Sequence, residues 1–322
     1  KFFRNNNYNL AGLKGINVFV IYLESYGAIL IENQDLVDNY KNLTVELQSE
    51  LEKKSFLMVT GYSEAPRSSW LSRLSFSTGS RIYERVSANL ALISKLTTLN
   101  QKFYLSGYHT ISVMPGVKKR VPKIESFFDF KQQFSSWNFD WPQEKSANNW
   151  AEIPDQYVLE WLGKNSTLKK KAPIYLEIVL SSSHSPYGIV PPYISKQEVK
   201  LEDWSAVTTK EKSLGIISHL KGTSQKYMVS IEYSLKSAFQ FIERYLGPED
   251  LIIVIGDHQP PALRTDSNLV PVHIISSKKS LLIPFKQIGF QEGLFSSYVK
   301  ENIRHEDFAE FILDSYSCCQ KE

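Results

Sequence analysis

Ile16-Asn17-Val18-Phe19-Val20-Ile21-Tyr22-Leu23-Glu24-Ser25-Tyr26-Gly27 and Leu251-Ile252-Ile253-Val254-Ile255-Gly256-Asp257-His258-Gln259-Pro260-Pro261 follow one plan. In each, a short run of mostly branched apolar residues stops at an acidic side chain with a glycine within three residues of it. Runs of this length, with no polar alternation, suit strands buried on both faces, as in a parallel sheet covered by helices. Four more runs share the pattern, at 56–60, 110–114, 174–180 and 270–275. Between them lie segments with the 3.6-residue period of amphipathic helices, at 43–53, 89–99, 154–162 and 225–246. The longest places Met228, Ile231, Leu235, Phe239, Ile242 and Leu246 along one face. Strands alternating with helices predict a three-layer α/β sandwich with a mostly parallel central sheet.

The composition sets outer bounds. With 322 residues, 42% hydrophobic and 13% aromatic, the chain can bury a large core and lacks the marks of disorder. One catalytic-size domain over 1–322 is expected. Two irregular stretches near 121–149 and 191–224 read as insertions of loops and short helices on the substrate side. The formal charge of +3, from 37 basic and 34 acidic residues, gives no nucleic-acid footprint. Lys169-Lys170-Lys171 reads as a solvated loop. Cys318 and Cys319 are adjacent near the end and cannot close a long loop. The apolar run at 16–23 is too short to cross a bilayer. Because the chain opens on Lys1, a longer precursor is expected, with room for a membrane anchor upstream.

Ligands in an open α/β sheet bind beyond the carboxyl ends of the strands, so the polar residues just after the buried runs are the candidates for function. Glu24 follows one run, Asp257-His258 another, and Ser181-Ser182-Ser183-His184 a third. Carboxylates with one imidazole are ligand types for zinc or manganese. A fourth segment, Pro66-Arg67-Ser68-Ser69-Trp70-Leu71-Ser72-Arg73-Leu74-Ser75-Phe76-Ser77-Thr78-Gly79, puts Ser68 or Ser69 near a helix amino terminus, a natural anion site. A Ser hydroxyl there is either an N-cap or a nucleophile, and as a nucleophile it needs a metal or a base.

These motifs resemble those of the alkaline phosphatase/sulfatase superfamily. Ser69-Trp70-Leu71-Ser72-Arg73 with Thr78-Gly79 has the register of the sulfatase signature. The strand-ending Glu-Ser-Tyr-Gly and Gly-Asp-His are closer to the membrane-anchored branch of lipoteichoic acid synthases, phosphoglycerol transferases and phosphoethanolamine transferases. The resemblance implies one divalent cation, zinc or manganese, held by Glu24, Ser69, Asp257 and His258. It makes Ser69 the nucleophile, with Ser72 left inside the helix to bond a backbone carbonyl. It makes His184 the contact to the substrate oxygens or leaving group, and lets Arg73, one turn after Ser69, neutralise the reacting group or pair with a carboxylate. His109, Lys118 and Lys119 fall roughly where sulfatases hold the anion. Leu71 replaces the Pro or Ala that formylglycine formation favours, which turns the expectation from sulfuryl to phosphoryl chemistry.

The implied activity is that of a phosphatase, phosphodiesterase or headgroup phosphotransferase passing through a covalent phospho-Ser. The implied substrate is a phosphoester on a lipid headgroup or glycan, at the periplasmic or extracellular face of a bacterial membrane. Two alternatives are a sulfatase and a non-catalytic domain that uses Trp137, Phe139, Trp141 and Trp150 to hold a glycan or protein.

Overall fold

The structure, a computed structural model, describes residues 8–141, 153–195 and 222–317. Trp150, Cys318, Cys319, residues 142–149 of the first expected insertion and residues 196–221 of the second lie outside them. Each of the six apolar runs is a strand: β1 (Val18–Leu23), β2 (Leu57–Glu64), β3 (His109–Met114), β5 (Ile174–Leu180), β6 (Leu251–Gly256) and β7 (Leu269–Ser276). Three short strands complete the sheet, β4 (Gln132–Ser135), β8 (Gln291–Glu292) and β9 (Glu301–Arg304). The order is β4-β3-β5-β1-β6-β7-β2-β8, with β9 on β2. Pairing is parallel from β4 through β6; β7 runs against both β6 and β2.

Every residue of β1 is 2% exposed or less. Alternate side chains therefore enter two separate cores. Phe19, Ile21 and Leu23 pack with α2 (Gln34–Glu52), α7 (Asp155–Lys164) and α8 (Thr223–Tyr245). Val18, Val20 and Tyr22 pack on the other face with α3 (Ser69–Thr78), α5 (Leu99–Leu105), α9 (Lys279–Gln287) and α10 (Phe308–Tyr316). A single-turn helix, α1 (Ile29–Glu32), follows the β1 turn. Burying a Val, Leu or Phe side chain is worth about 1.5–3 kcal/mol, so the central strand is anchored from both sides.

Two expectations are corrected. The helix anticipated at 89–99 is two, α4 (Arg85–Ala91) and α5, because Thr98 starts a new helix with a capping box to Gln101. The stretch expected to be loops and short helices from 121 does hold a short helix, α6 (Pro122–Phe128), but then runs into β4, an added edge strand. β4 is only Gln-Gln-Phe-Ser, too short and polar to show a strand period.

Candidate active site

Neighbouring strands bring the site together. β1 lies between β5 and β6 with Leu23 level with Leu180 and Gly256, so Glu24, Ser181 and Asp257 leave the sheet side by side. The close approach of two of these turns demands glycine: a Cβ on Gly256 would lie 1.9 Å from the Tyr26 carbonyl oxygen. Ser25 takes a positive φ of 56° and donates its backbone N–H to Asp257 Oδ1 at 2.8 Å. Tyr227 of α8 braces the same turn, donating its hydroxyl to the Ser25 carbonyl at 2.7 Å and accepting from the Gly27 N–H at 3.2 Å.

Ser68 is the N-cap of α3, extended at φ −158°, and Ser69 is the first helical residue. The Ser69 hydroxyl is thus released from capping. It donates to Glu24 Oε2 at 2.8 Å and lies 3.2 Å from His258 Nε2. His258 Nδ1 is held at 2.8 Å by the Gln259 carbonyl, a bond that puts the proton on Nδ1 and turns Nε2 toward Ser69 and Glu24. Nε2 is 3.1 Å from Glu24 Oε1 and 3.6 Å from Asp257 Oδ2.

The electrostatics follow from burial. Burial opposes ionisation of Glu24, yet His258, His184 and the Ser69 hydroxyl outweigh it and hold the carboxyl at about 2. Burial and then the Glu24 charge push Asp257 up to about 8. Burial works against the His258 cation, but Asp257 and Glu24 prevail and push it up to about 10. Three groups of mixed sign thus share one low-dielectric spot.

The donor set fits a divalent cation. One ligand atom each from Glu24, Asp257 and His258 lies within 4.8 Å of the others. Asp257 Oδ2 is buried with no hydrogen-bond partner among the described residues, while Oδ1 takes the Ser25 and His258 amides at 2.8 and 2.7 Å. One oxygen is committed to the backbone and the other points at the cluster.

The remaining candidates separate. His184 stands on the turn after β5, its N–H on the Ser181 carbonyl at 2.9 Å, while the Ser183 hydroxyl donates to the Glu24 carbonyl at 2.6 Å. Lys118 and Lys119 are exposed just past the carboxyl end of β3, on the site's side of the sheet. His109 is at the wrong end. It opens β3 level with Ile174, six residue steps from the level of Leu23, roughly 20 Å at ~3.3 Å per residue, and its ring bonds Gln132. Arg73, expected near the reacting group, has its Nε on Glu177 Oε2 at 2.9 Å and its guanidinium 4.2 Å over Phe128. Its ion pair, 7% and 0% exposed, ties α3 to β5. Ser72 Oγ, expected on a backbone carbonyl, is buried with no hydrogen-bond partner among the described residues.

Of the aromatic cluster proposed to hold a glycan, Phe139 and Trp141 pack inward on Trp161 and Tyr157 of α7, each at 4.8 Å, leaving Trp137 exposed.

Sequence reasoning missed two supports, Tyr227 and Asp155. Asp155 is fully buried at the start of α7, where Oδ1 accepts the N–H groups of Ser181 and Ser182 at 2.8 and 3.0 Å and Oδ2 accepts the Ser234 hydroxyl at 2.7 Å. It holds the turn that carries Ser183 and His184. In the sequence, Pro154-Asp155 reads only as a helix start.

No family profile and no curated protein matches the sequence. Solved structures do. A protein in the alkaline phosphatase superfamily from Vibrio parahaemolyticus aligns over 94% of this chain and 67% of its own, at 16% identity and TM-score 0.57. The fold is that of the alkaline phosphatase superfamily. The lipoteichoic acid synthase LtaP from Listeria monocytogenes has it too, at 15% identity and TM-score 0.54 over 86% of this chain and 68% of that one. So does the C-terminal periplasmic domain of EcEptC from Escherichia coli, at 13% identity and TM-score 0.55 over 91% and 80%. On this superfamily fold the cluster around Ser69 lies where an open α/β sheet binds its ligands, past the carboxyl ends of adjacent strands.

Proposed function

We propose that this chain is a metal-dependent phosphoryl-transfer enzyme that works through a covalent phospho-Ser at Ser69. Glu24, Ser69, Asp257 and His258 hold one divalent cation, zinc or manganese. The observation that carries the reading is the placement of Ser69 Oγ at the first residue of a helix, 2.8 Å from Glu24 Oε2 and 3.2 Å from His258 Nε2. A hydroxyl with no neighbouring base or cation is a poor nucleophile, and these two contacts supply the means to activate it.

In the first half-reaction the substrate phosphoryl group rests against the amino terminus of α3, whose free N–H groups and dipole favour its charge. Ser69 Oγ attacks phosphorus in line and the bond to the leaving oxygen breaks. The hydroxyl proton passes to water, and His184 steadies the departing oxygen and supplies its proton. A bound divalent cation supplies Lewis-acid chemistry, favouring ionised Ser69 and offsetting the charge that gathers on the phosphoryl oxygens. In the second half, water or an acceptor alcohol attacks the phospho-Ser and restores the hydroxyl. Arg73 acts as a positioning residue, fixing α3 and hence Ser69 through Glu177.

Several solved neighbours support the chemistry and place by their own descriptions. The Escherichia coli domain is known as a complex with Zn, and another neighbour is a phosphoglycerol transferase from Streptococcus pyogenes in complex with sn-glycerol-1-phosphate. Two are periplasmic domains. A phosphoester on a headgroup or glycan, met on the outer side of a bacterial membrane, is the matching proposal for this chain. No helix among the described residues is long and apolar enough to cross a membrane. A 2-O GAG sulfatase shares the fold at TM-score 0.50, but Leu71 disfavours the aldehyde that sulfatases need.

The test is turnover of chromogenic phosphomonoesters, phosphodiesters and sulfate esters by chelator-treated protein, before and after zinc or manganese is restored. Metal-dependent release from a phosphoester supports the reading; release only from the sulfate ester, with Ser69 lighter by two hydrogens in its peptide mass, would replace it with the sulfatase.

A further inference from the structure

Ser69 lies in the wall of a cavity of about 390 Å³ bounded by α3, β3, α6, β4 and the end of β5. The wall is mostly carbon, with Trp70, Val117, Ile124, Phe128, Phe134 and Val179 as its main surfaces. Its one basic side chain, Arg73, is already paired with Glu177 at 2.9 Å and stacked on Phe128. The guanidinium also spends Nη2 on Ser112 at 3.3 Å. The wall's other polar side chains, Ser112, Glu125, Gln133 and Ser135, are few beside the carbon, so a polyol headgroup placed here would give up most of its water without full replacement. Hydrocarbon placed here gains at each carbon.

We infer that the phosphoester attacked by Ser69 carries an apolar substituent, alkyl or aryl, and that this cavity receives it. The inference rests on the proposed role of Ser69 and adds the class of substrate. Its polarity runs the right way along the molecule. The phosphoryl group meets the helix terminus and the acidic and imidazole side chains, and the substituent meets Trp70 and the α6 side chains. Lys118 and Lys119, both exposed, follow the lining residue Val117 in the sequence.

The measurement is calorimetric binding of methyl-, butyl-, octyl- and phenylphosphonate to the full chain, a readout that needs no turnover. At about 0.8 kcal/mol per buried methylene, affinity should rise up to roughly fourfold per carbon until the cavity is full. Phenylphosphonate tighter than butylphosphonate identifies an aryl group; the reverse order, with octyl best, identifies an alkyl chain. Val117→Asp puts a carboxylate in the wall and should flatten the series. Val121→Asp, at a lining position 44% exposed that tolerates charge, is a second route to the same loss. Equal affinity for all four ligands, or a full series in both variants, overturns the inference. Hydrolysis of methyl p-nitrophenyl phosphate is scored separately: its absence overturns the role of Ser69, whereas a flat series with hydrolysis intact overturns only the apolar cavity.

Discussion

Replacing Asp155 with Ala should cost both stability and activity, although Asp155 touches no reacting atom. Its carboxylate accepts three hydrogen bonds in a fully buried position, two of them from the backbone of the turn after β5. Each amide left without an acceptor costs about 1–3 kcal/mol, and a carboxylate in the first turn of α7 adds about 0.3–1 kcal/mol through the helix dipole. Burial raises the Asp155 pKa, so part of this gain is spent on desolvation. The net expectation is about 3–5 kcal/mol, which for a chain of 322 residues lowers Tm by roughly 4–8 °C. Asp155→Asn keeps an oxygen for both amides and lets the Ser234 hydroxyl turn to accept, so its loss should be about 1–2 kcal/mol. The same turn carries His184 and the Ser183 hydroxyl that holds the Glu24 carbonyl. Asp155→Ala measured below its Tm should therefore lose at least tenfold in kcat, with Asp155→Asn recovering most of it. Thermal melts and phosphoester turnover of the two variants decide the matter; an Ala variant within about 1 kcal/mol of the parent, or an Asn variant as impaired as Ala, would refute the argument.

Other consequences can be checked with the same tools. Arg73→Met leaves Glu177, 0% exposed, with only Tyr175 and Ser77 for partners among the described residues, and should destabilise by about 3–5 kcal/mol. The double variant with Glu177→Leu should recover part of that in a double-mutant cycle, whereas a single variant that is stable but inactive would make Arg73 a catalytic group. Burial holds His273 neutral down to about pH 3, while the unfolded chain protonates it near 6.5. The folded pKa is depressed, so this contribution is complete above about 6.5 and is lost as pH falls toward 3, at about 1.4 kcal/mol per unit. Urea titrations from pH 7 to 4 should show His273→Asn with a shallower slope by one proton; an unchanged slope would contradict the neutral buried ring.

The elements that were legible in the sequence are those whose burial shows in consecutive residues. β1, β5 and β6 announce themselves because both faces are covered, and the same fact makes the polar residue after each one stand out. Glu24 and Asp257-His258 were therefore readable without any knowledge of pairing. β4, β8 and β9 were not, since an edge strand of two to four polar residues owes its existence to the neighbour it pairs with. His109 was misplaced because it came from the resemblance alone: it precedes its apolar run, so it stands at the amino end of the strand, away from the carboxyl ends where ligands bind. Asp155 and Tyr227 escaped because their work is to bond backbone groups tens of residues away, and nothing in a carboxylate at a helix start or a tyrosine on a buried helix face declares its partner. Arg73 lay in the right register, and only its contact with Glu177 shows where its charge goes.

The central claim is that Ser69 carries the transferred group, and the most direct measurement is peptide mass spectrometry of metal-loaded protein quenched in acid during turnover of a phosphoester. The register and the contacts to Glu24 and His258 predict one added phosphoryl group on Ser69, present in Ser68→Ala, absent in Ser69→Ala, and absent without the cation. A phosphoryl group found instead on Ser68 or Ser72, or turnover undiminished in Ser69→Ala, would contradict it.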